Sequence, residues 1–523
     1  MSQDYLILIA IGPIQEFIAA ARKTKDLFAG SDLLSEASKH CAAFLKNRGA
    51  GLIFPHAAEG IVANKILAEW KRSEHPQHLA SACKKDLNDW IVARFNALKL
   101  RDQIDLAFDV DLDSAAEQLK HLFEFYAAWI ETSSDYGQDR ETLEDILAAR
   151  KNLRNFEPHT GSNRPKSSLD GNRESVIVLK ERPEPRTFQI KPGELLDGLG
   201  LLKRFWPVEF RFDSTHDVAA RPFIAGLAPG LEGKYLQALP RGIPRSFSHI
   251  YHDDKDLSKL VAPAVRIIKA IRNPQPAYYG IFVGDGDNMG NAIGKLASPP
   301  EHRDFSRKLS GFAGAAKSAI RQQDAEPVYT GGDDVVAFLP LHTALESMWA
   351  VRGAFEQAMG SYAGVTFSAG LAVCHALDPL TESRNSAEAA EKTAKRITGK
   401  DAFCITVVPR SGAEASFKGK WDQSFHLLEK VVVLYLTKEL TLGLAHDFRK
   451  LLSEWTAASG LDQHLNKMAI AIARKKQSKE PAIQLIDDFF RLPEKPRENL
   501  ENLTNCLYVA RPFARAKREA IQK

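Results

Sequence analysis

Tyr278-Tyr279-Gly280-Ile281-Phe282-Val283-Gly284-Asp285-Gly286-Asp287-Asn288, with Val328-Tyr329-Thr330-Gly331-Gly332-Asp333-Asp334-Val335-Val336-Ala337-Phe338-Leu339 downstream, decides how this chain is read. Tyr278–Val283 is a continuous apolar run, the pattern of a buried strand, and it ends on acids and glycines. Val328–Thr330 and Val335–Leu339 read as two strands joined across Gly331-Gly332-Asp333-Asp334. An amphipathic helix is predicted over 304–321 and another over 343–359. A strand (Val365–Val373), a helix (384–397) and a strand (Phe403–Val408) follow.

The order βαββαβ is that of a ferredoxin-like sheet. In such a sheet the first strand lies beside the central hairpin, so the two acidic clusters can meet. Gly-Gly-Asp-Asp alone reads first as a hairpin turn, and Asp-Gly-Asp after a strand is equally ambiguous. Both clusters within one unit point to a site. Converging carboxylates repel unless cations neutralise them, and hard oxygen ligands favour Mg²⁺ or Mn²⁺, which can hold a triphosphate for in-line attack. The glycines permit positive φ and a close backbone approach to phosphate. Ala394-Lys395-Arg396 and Gly399-Lys400-Asp401 end the last helix of the unit and enter its last strand. A lysine there can reach triphosphate oxygens, or can be a solvated C-terminal lysine favoured by the helix dipole.

Outward from this unit, Tyr5–Ile11 reads as a buried strand broken by Gly12-Pro13. A helix with Ile14, Phe17, Ile18 and Ala21 on its apolar side is expected next, then a second over 32–47 and the strand Leu52–Phe54. Strand-like stretches recur near 104–110 and 125–131. From 150 to 275 the pattern is poorer: a loop over 159–172, the strand Val176–Leu179, a helix around 194–205, and Pro-rich breaks. After 411 the chain reads as mostly helical, with a basic tail.

The 523 residues, 44% hydrophobic and 26% charged with a net charge of +4, exclude bulk disorder and a strongly basic nucleic-acid coat protein. Five scattered cysteines without a CxxC pair show no disulfide framework or local zinc knuckle, and a reduced, cytoplasmic setting is expected. Tyr5–Ile11 and residues 431–436 are too short to span a bilayer, so neither signal peptide nor membrane segment is expected. Trp70, Trp90, Trp129 and Trp206 fit core positions better than stacking platforms for RNA, and Cys374 fits a small buried hydrophobe.

The motifs resemble those of the palm-polymerase large subunit of type III CRISPR–Cas effector complexes, particularly the type III-B (Cmr) form. The resemblance rests on Ile11-Gly12-Pro13-Ile14-Gln15-Glu16-Phe17-Ile18, on Ala21 to Ser31 with Leu33-Leu34-Ser35, and on Val62-Ala63-Asn64-Lys65. Asp213-Ser214-Thr215-His216-Asp217-Val218-Ala219 with Pro222-Phe223, the two acidic clusters, and Phe367-Ser368-Ala369-Gly370 complete it. It implies an α+β protein of two ferredoxin-like palms. The first palm would span 1–150, an intermediate α-rich domain 151–275, the catalytic palm 276–410 and a helical C-terminal domain 411–523.

By the same resemblance Asp285, Asp333 and Asp334 would hold the metals and carry catalysis. Gly286, Asp287, Asn288, Gly331, Gly332, Ser368 and Lys395 would lie at the nucleotide, and Gly12 and Gln15 near a second one. The implied activity converts ATP to cyclic oligoadenylate on target-RNA recognition, with other effector subunits, guide RNA and target RNA as partners and no membrane. Transfer of AMP to another acceptor such as S-adenosylmethionine, or a non-catalytic ribonucleoprotein scaffold, stays open beside it. A free-standing GGDEF-like cyclase would carry glutamate in place of Asp334. The family often carries an N-terminal HD nuclease domain, but the first palm is read from residue 4 and the His-Asp pairs at 216–217, 252–253 and 446–447 read as surface or capping pairs, so no HD nuclease activity is expected. Its four-cysteine zinc site is replaced by Pro165–Gly171 and Glu194–Gly198, so no zinc is expected and that domain must rely on its own packing.

Overall fold

The computed structural model describes residues 4–13, 20–59, 64–98, 100, 108–153, 163–179, 190, 193–207, 213–227, 278–455, 464–492 and 494–521. The helix expected directly after Gly12-Pro13, with Ile14, Gln15, Phe17 and Ile18, lies outside them, as does the His-Asp pair at 252–253.

The first layer contains β1 (Tyr5–Gly12), α1 (Thr24–Asn47), β2 (Gly51–Phe54), β3 (Lys65–Trp70), α2 (Pro76–Ala97), β4 (Phe108–Val110), α3 (Leu112–Lys120), β5 (Glu124–Glu131) and α4 (Tyr136–Asn152). Its sheet runs β2-β3-β1-β5, with β1 antiparallel to both neighbours. The unbroken apolar run of β1 has a direct cause: Ile7, Ile9 and Ile11 pack towards α1 and α2, whereas Leu6, Leu8 and Ala10 pack towards Leu143 and Leu147 of α4. A strand covered on both faces cannot alternate. β3 was not anticipated from sequence. Its Ile66, Leu67 and Ala68 are all buried, so it too lacks the alternation that marks a half-exposed strand.

Next come β6 (Ile177–Leu179), α5 (Gly198–Phe205) and α6 (Thr215–Ala225). β6 pairs with β4, and Leu199, Leu202, Phe205 and Trp206 join the apolar cluster of β1, α1 and α2. The two stretches without soft ligands meet through hydrogen bonds. Ser167 Oγ donates to Asp197 Oδ1 at 2.9 Å, and the Leu195 amide donates to Ser168 Oγ at 3.0 Å. Asp217 closes a capping box with Ser214 at the start of α6, and Asp447 pairs with Lys476 at 3.1 Å. His216 is buried rather than on the surface.

The second palm comprises β7 (Tyr278–Asp287), α7 (Met289–Gly294), α8 (Pro299–Gln322), β8 (Glu326–Gly331), β9 (Asp334–Leu339), α9 (Ala344–Met359), β10 (Thr366–His375), α10 (Leu380–Lys395) and β11 (Ala402–Val407). Within the sheet β12-β11-β10-β7-β9-β8, the four strands β10-β7-β9-β8 repeat the order of the first palm. β11 is added parallel to β10.

The chain after 411 is mostly helical, as expected, but it opens with β12 (Ala415–Lys420), an edge strand antiparallel to β11. Its alternation places Ala415 and Phe417 inwards with Ser416 and Lys418 outwards. Five helices follow: α11 (Gln423–Leu436), α12 (Leu444–Glu454), α13 (Leu465–Lys475), α14 (Glu480–Phe490) and α15 (Pro496–Ile521). One apolar cluster runs from Phe282 through Phe403, Phe417 and Phe489 to Ala516, so the second palm and these helices share a core. Trp70 and Trp206 are core residues, Trp90 stacks on His40, and Cys374 is buried. Among the described residues no helix is long and apolar enough to cross a membrane.

The palms face each other with approximate two-fold symmetry: α1 of the first packs on β8 of the second, and α8 of the second packs on β2 of the first. Tyr136 Oη lies 2.7 Å from His302 Nδ1 across this interface, and Arg303 Nε donates to the Leu52 carbonyl at 2.8 Å.

Candidate active site

The acids converge because of strand register. β7 pairs with β9 through Gly284 and Val335, and one step further along the ladder Asp285 stands opposite Asp334. The β8–β9 connection is two residues long. Gly332 takes its first position at φ +64°, a left-handed conformation that favours glycine in tight hairpins. Gly286 serves proximity instead: a Cβ there would stand 2.9 Å from the Asp333 Cβ and from Met289 Cγ. At Gly331 the ring of Tyr329 fills the space a side chain would need.

Lys395, at the C-terminal end of α10, donates to Asp285 and lies 2.8 Å from Glu391 Oε1. Desolvation works against its charge, but these carboxylates raise its pKa above the ordinary lysine value. Asp333 and Asp334 are held well above the usual carboxylate range, by burial first and then by the charge of Asp285. Ionising both beside Asp285 is costly, and a bound cation would offset that cost. The site's donors are hard oxygens and fit a divalent cation such as Mg²⁺. Among the described residues no group of three or more His, Cys, Asp or Glu side chains is already arranged as a ligand set, and the Lys395 ammonium provides the positive charge beside Asp285.

Asp287 and Ser368, expected at the nucleotide, are placed differently. Both are buried, and Asp287 Oδ2 accepts from Ser368 Oγ at 2.7 Å, Thr366 Oγ1 at 2.9 Å and the Asp401 amide at 3.2 Å. They tie β7, β10 and the entry to β11 together behind the acids. Asn288 adopts φ +59°, donates from Nδ2 to the Gly364 carbonyl at 2.9 Å and accepts from Lys400 Nζ at 3.2 Å. Lys400 brings a second ammonium to this end of the sheet. The sequence reading quotes Lys400 in the segment whose lysine can reach phosphate, but it misses Glu391, which sits one helical turn before Lys395, a spacing that signals a pair.

The first palm has the same geometry without the acids. Its ladder sets Ile11 opposite Asn64, where the second has Asp285 and Asp334, with Ile11 N donating to the Asn64 carbonyl at 2.9 Å. Gly12 occupies the place of Gly286, beside Glu124. Gln15 lies outside the described residues. A pocket opens between the palms, with Phe28, Ser31, Asp32 and Asn64 on one side and Tyr329 and Thr330 on the other.

Comparison with known proteins follows the two palms. A model described as "CRISPR-associated protein Cmr2, N-terminal" matches residues 6–113, and one described as "Cas10/Cmr2, second palm domain" matches 278–404. The Cmr subunit Cmr2 of Pyrococcus furiosus is 30% identical over 190 residues, a match covering 31% of this chain and 22% of that protein. A chain of the type III-B Cmr-beta complex in its apo state superposes with a TM-score of 0.71 at 13% identity, covering 97% of this chain and 82% of that one. The Cmr-beta complex bound to cognate target RNA gives 0.65 at 12% identity, with 98% and 83% covered. A Csm1–Csm4 cassette in complex with pppApApA gives 0.53 at 14% identity, with 97% and 69% covered. At these identities the likeness to solved structures is one of fold. Two palms in the same order are thus each similar to their own Cas10/Cmr2 family model.

Proposed function

We propose that this chain is the large subunit of a type III CRISPR effector complex, and that its second palm is a metal-dependent nucleotidyltransferase using ATP. The observation that carries this is the asymmetry between the palms: three carboxylates and a lysine converge in one, where the other has Ile11 and Asn64. In this reading the 3′-hydroxyl of one nucleotide attacks the α-phosphate of another and pyrophosphate leaves. Mg²⁺ or Mn²⁺ bound by the carboxylates would supply charge stabilisation and orientation. Asp285, Asp333 and Asp334 would hold the cations, and Lys395 would neutralise triphosphate oxygens. Asp287, Ser368 and Thr366 keep the strand ends in register, and the interpalm pocket lies beside the hairpin.

Two relatives support the partners and product. A protein of this fold belongs to a complex solved with cognate target RNA, and another to a cassette solved with pppApApA. The proposed product is therefore an oligoadenylate, cyclic as the sequence resemblance implies, made when target RNA binds the assembled complex. Mass spectrometry of products after incubating that complex with ATP and target RNA tests the reading, with S-adenosylmethionine present in a parallel sample. Oligoadenylate from the wild type and none from the Asp333→Ala, Asp334→Ala variant is the expected result. Synthesis by that variant, or an S-adenosylmethionine adduct as the sole product, overturns it.

A further inference from the structure

α10 lies unusually close to β10. Its inward face is Ser383, Ala387, Ala390 and Ala394, and a Cβ on Gly370 would fall 2.1 Å from the Glu391 amide nitrogen. Into this face of small residues the sequence puts one carboxylate, Glu391, whose side chain is 10% exposed. A buried carboxylate is costly unless a cation stays beside it. Among the described residues its ion-pair partner is Lys395, and Glu391 Oε1 makes no hydrogen bond besides that charge contact. The Lys395 ammonium thus stands between two carboxylates of different kinds. Asp285 faces the acid cluster and is open to a cation. Glu391 is buried where the helix packs closely on the strand.

We propose that Glu391 is a positioning residue: it tethers Lys395 over the acid cluster, so that when a divalent cation takes Asp285 the ammonium stays aimed at the triphosphate. This rests on the nucleotidyl-transfer reading of the site and names a residue outside the acid and glycine motifs. Without the tether Lys395 keeps its charge but samples many rotamers, and its ordering must then be driven by nucleotide binding.

The test is a double-mutant cycle on affinity, measured by calorimetry with the full chain, Mg²⁺ and the non-hydrolysable analogue AMPPNP. Glu391→Gln is expected to weaken AMPPNP about tenfold, and Lys395→Met at least as much. The Glu391→Gln, Lys395→Met double variant should bind no more weakly than Lys395→Met alone, because the tether acts only through the lysine. Glu391→Asp, which keeps the charge one methylene back, should recover part of the loss. It also serves if Glu391→Gln fails to fold. Unchanged affinity in Glu391→Gln, or losses that multiply in the double variant, overturns the proposal while leaving the reaction intact. A wild-type chain that binds no AMPPNP overturns the nucleotidyl-transfer reading and the tether with it.

Discussion

At the scale of single residues, the site is built under electrostatic strain. Asp333 and Asp334 have carboxyl pKa values raised above their unfolded-state values, so their protonated forms are favoured in the fold. Such groups contribute stability below the ordinary carboxylate range that is lost as pH rises through their raised values. Replacing Asp333 by Asn should therefore raise the thermal midpoint in EDTA at pH 8 by about 2–4 °C, with a smaller gain at pH 5, as calorimetry would register. The gain should vanish when Mg²⁺ and nucleotide are added, since only the carboxylate rewards the cation. Gly286→Ala acts by geometry: its methyl displaces Asp333, and product formation should fall about 100-fold with the fold intact by circular dichroism. The acids were legible in the sequence because glycines and strand ends flank them. The bonds that Asp287 Oδ2 accepts from Thr366 and Ser368 were not legible, because a sequence does not show which hydroxyls of the neighbouring strand reach a carboxylate.

Elements were legible where periodicity was strong, as along β7 to β11, and less so where tertiary packing overrides it. β3 is buried on both faces, and β12 is a short edge strand containing Lys418, Gly419 and Lys420, residues that favour loops. The pairing of α4 with α8 through Tyr136 and His302 joins residues 166 apart, beyond any local pattern. Burial, reinforced by Arg140, depresses the His302 pKa to about 4. The unfolded chain then takes up a proton near pH 6.5 that the folded chain refuses. Stability is present above pH 6.5 and is lost as pH falls from there to 4. Denaturant midpoints measured across that window should decline in the wild type and decline less in His302→Asn, which keeps an acceptor near the Tyr136 hydroxyl without a group that titrates.

Over the whole molecule, two copies of one topology have been assigned different work. The acids are kept in one palm, and the other presents Ile11, Asn64 and the wall of the interpalm pocket. The boundary read at 410/411 falls between two paired strands, and Phe417, Phe489 and Phe513 belong to the same core as Phe282. A fragment of residues 276–410 should consequently fail to fold alone, giving no cooperative transition by circular dichroism, whereas one extended to 521 should fold. The central claim is that the acids of the second palm carry out nucleotidyl transfer. Pyrophosphate released from ATP by the target-bound complex tests it most directly, comparing wild type with Asp285→Asn at equal assembly. The account predicts release from the wild type and none from Asp285→Asn; release from Asp285→Asn at the wild-type rate would contradict it.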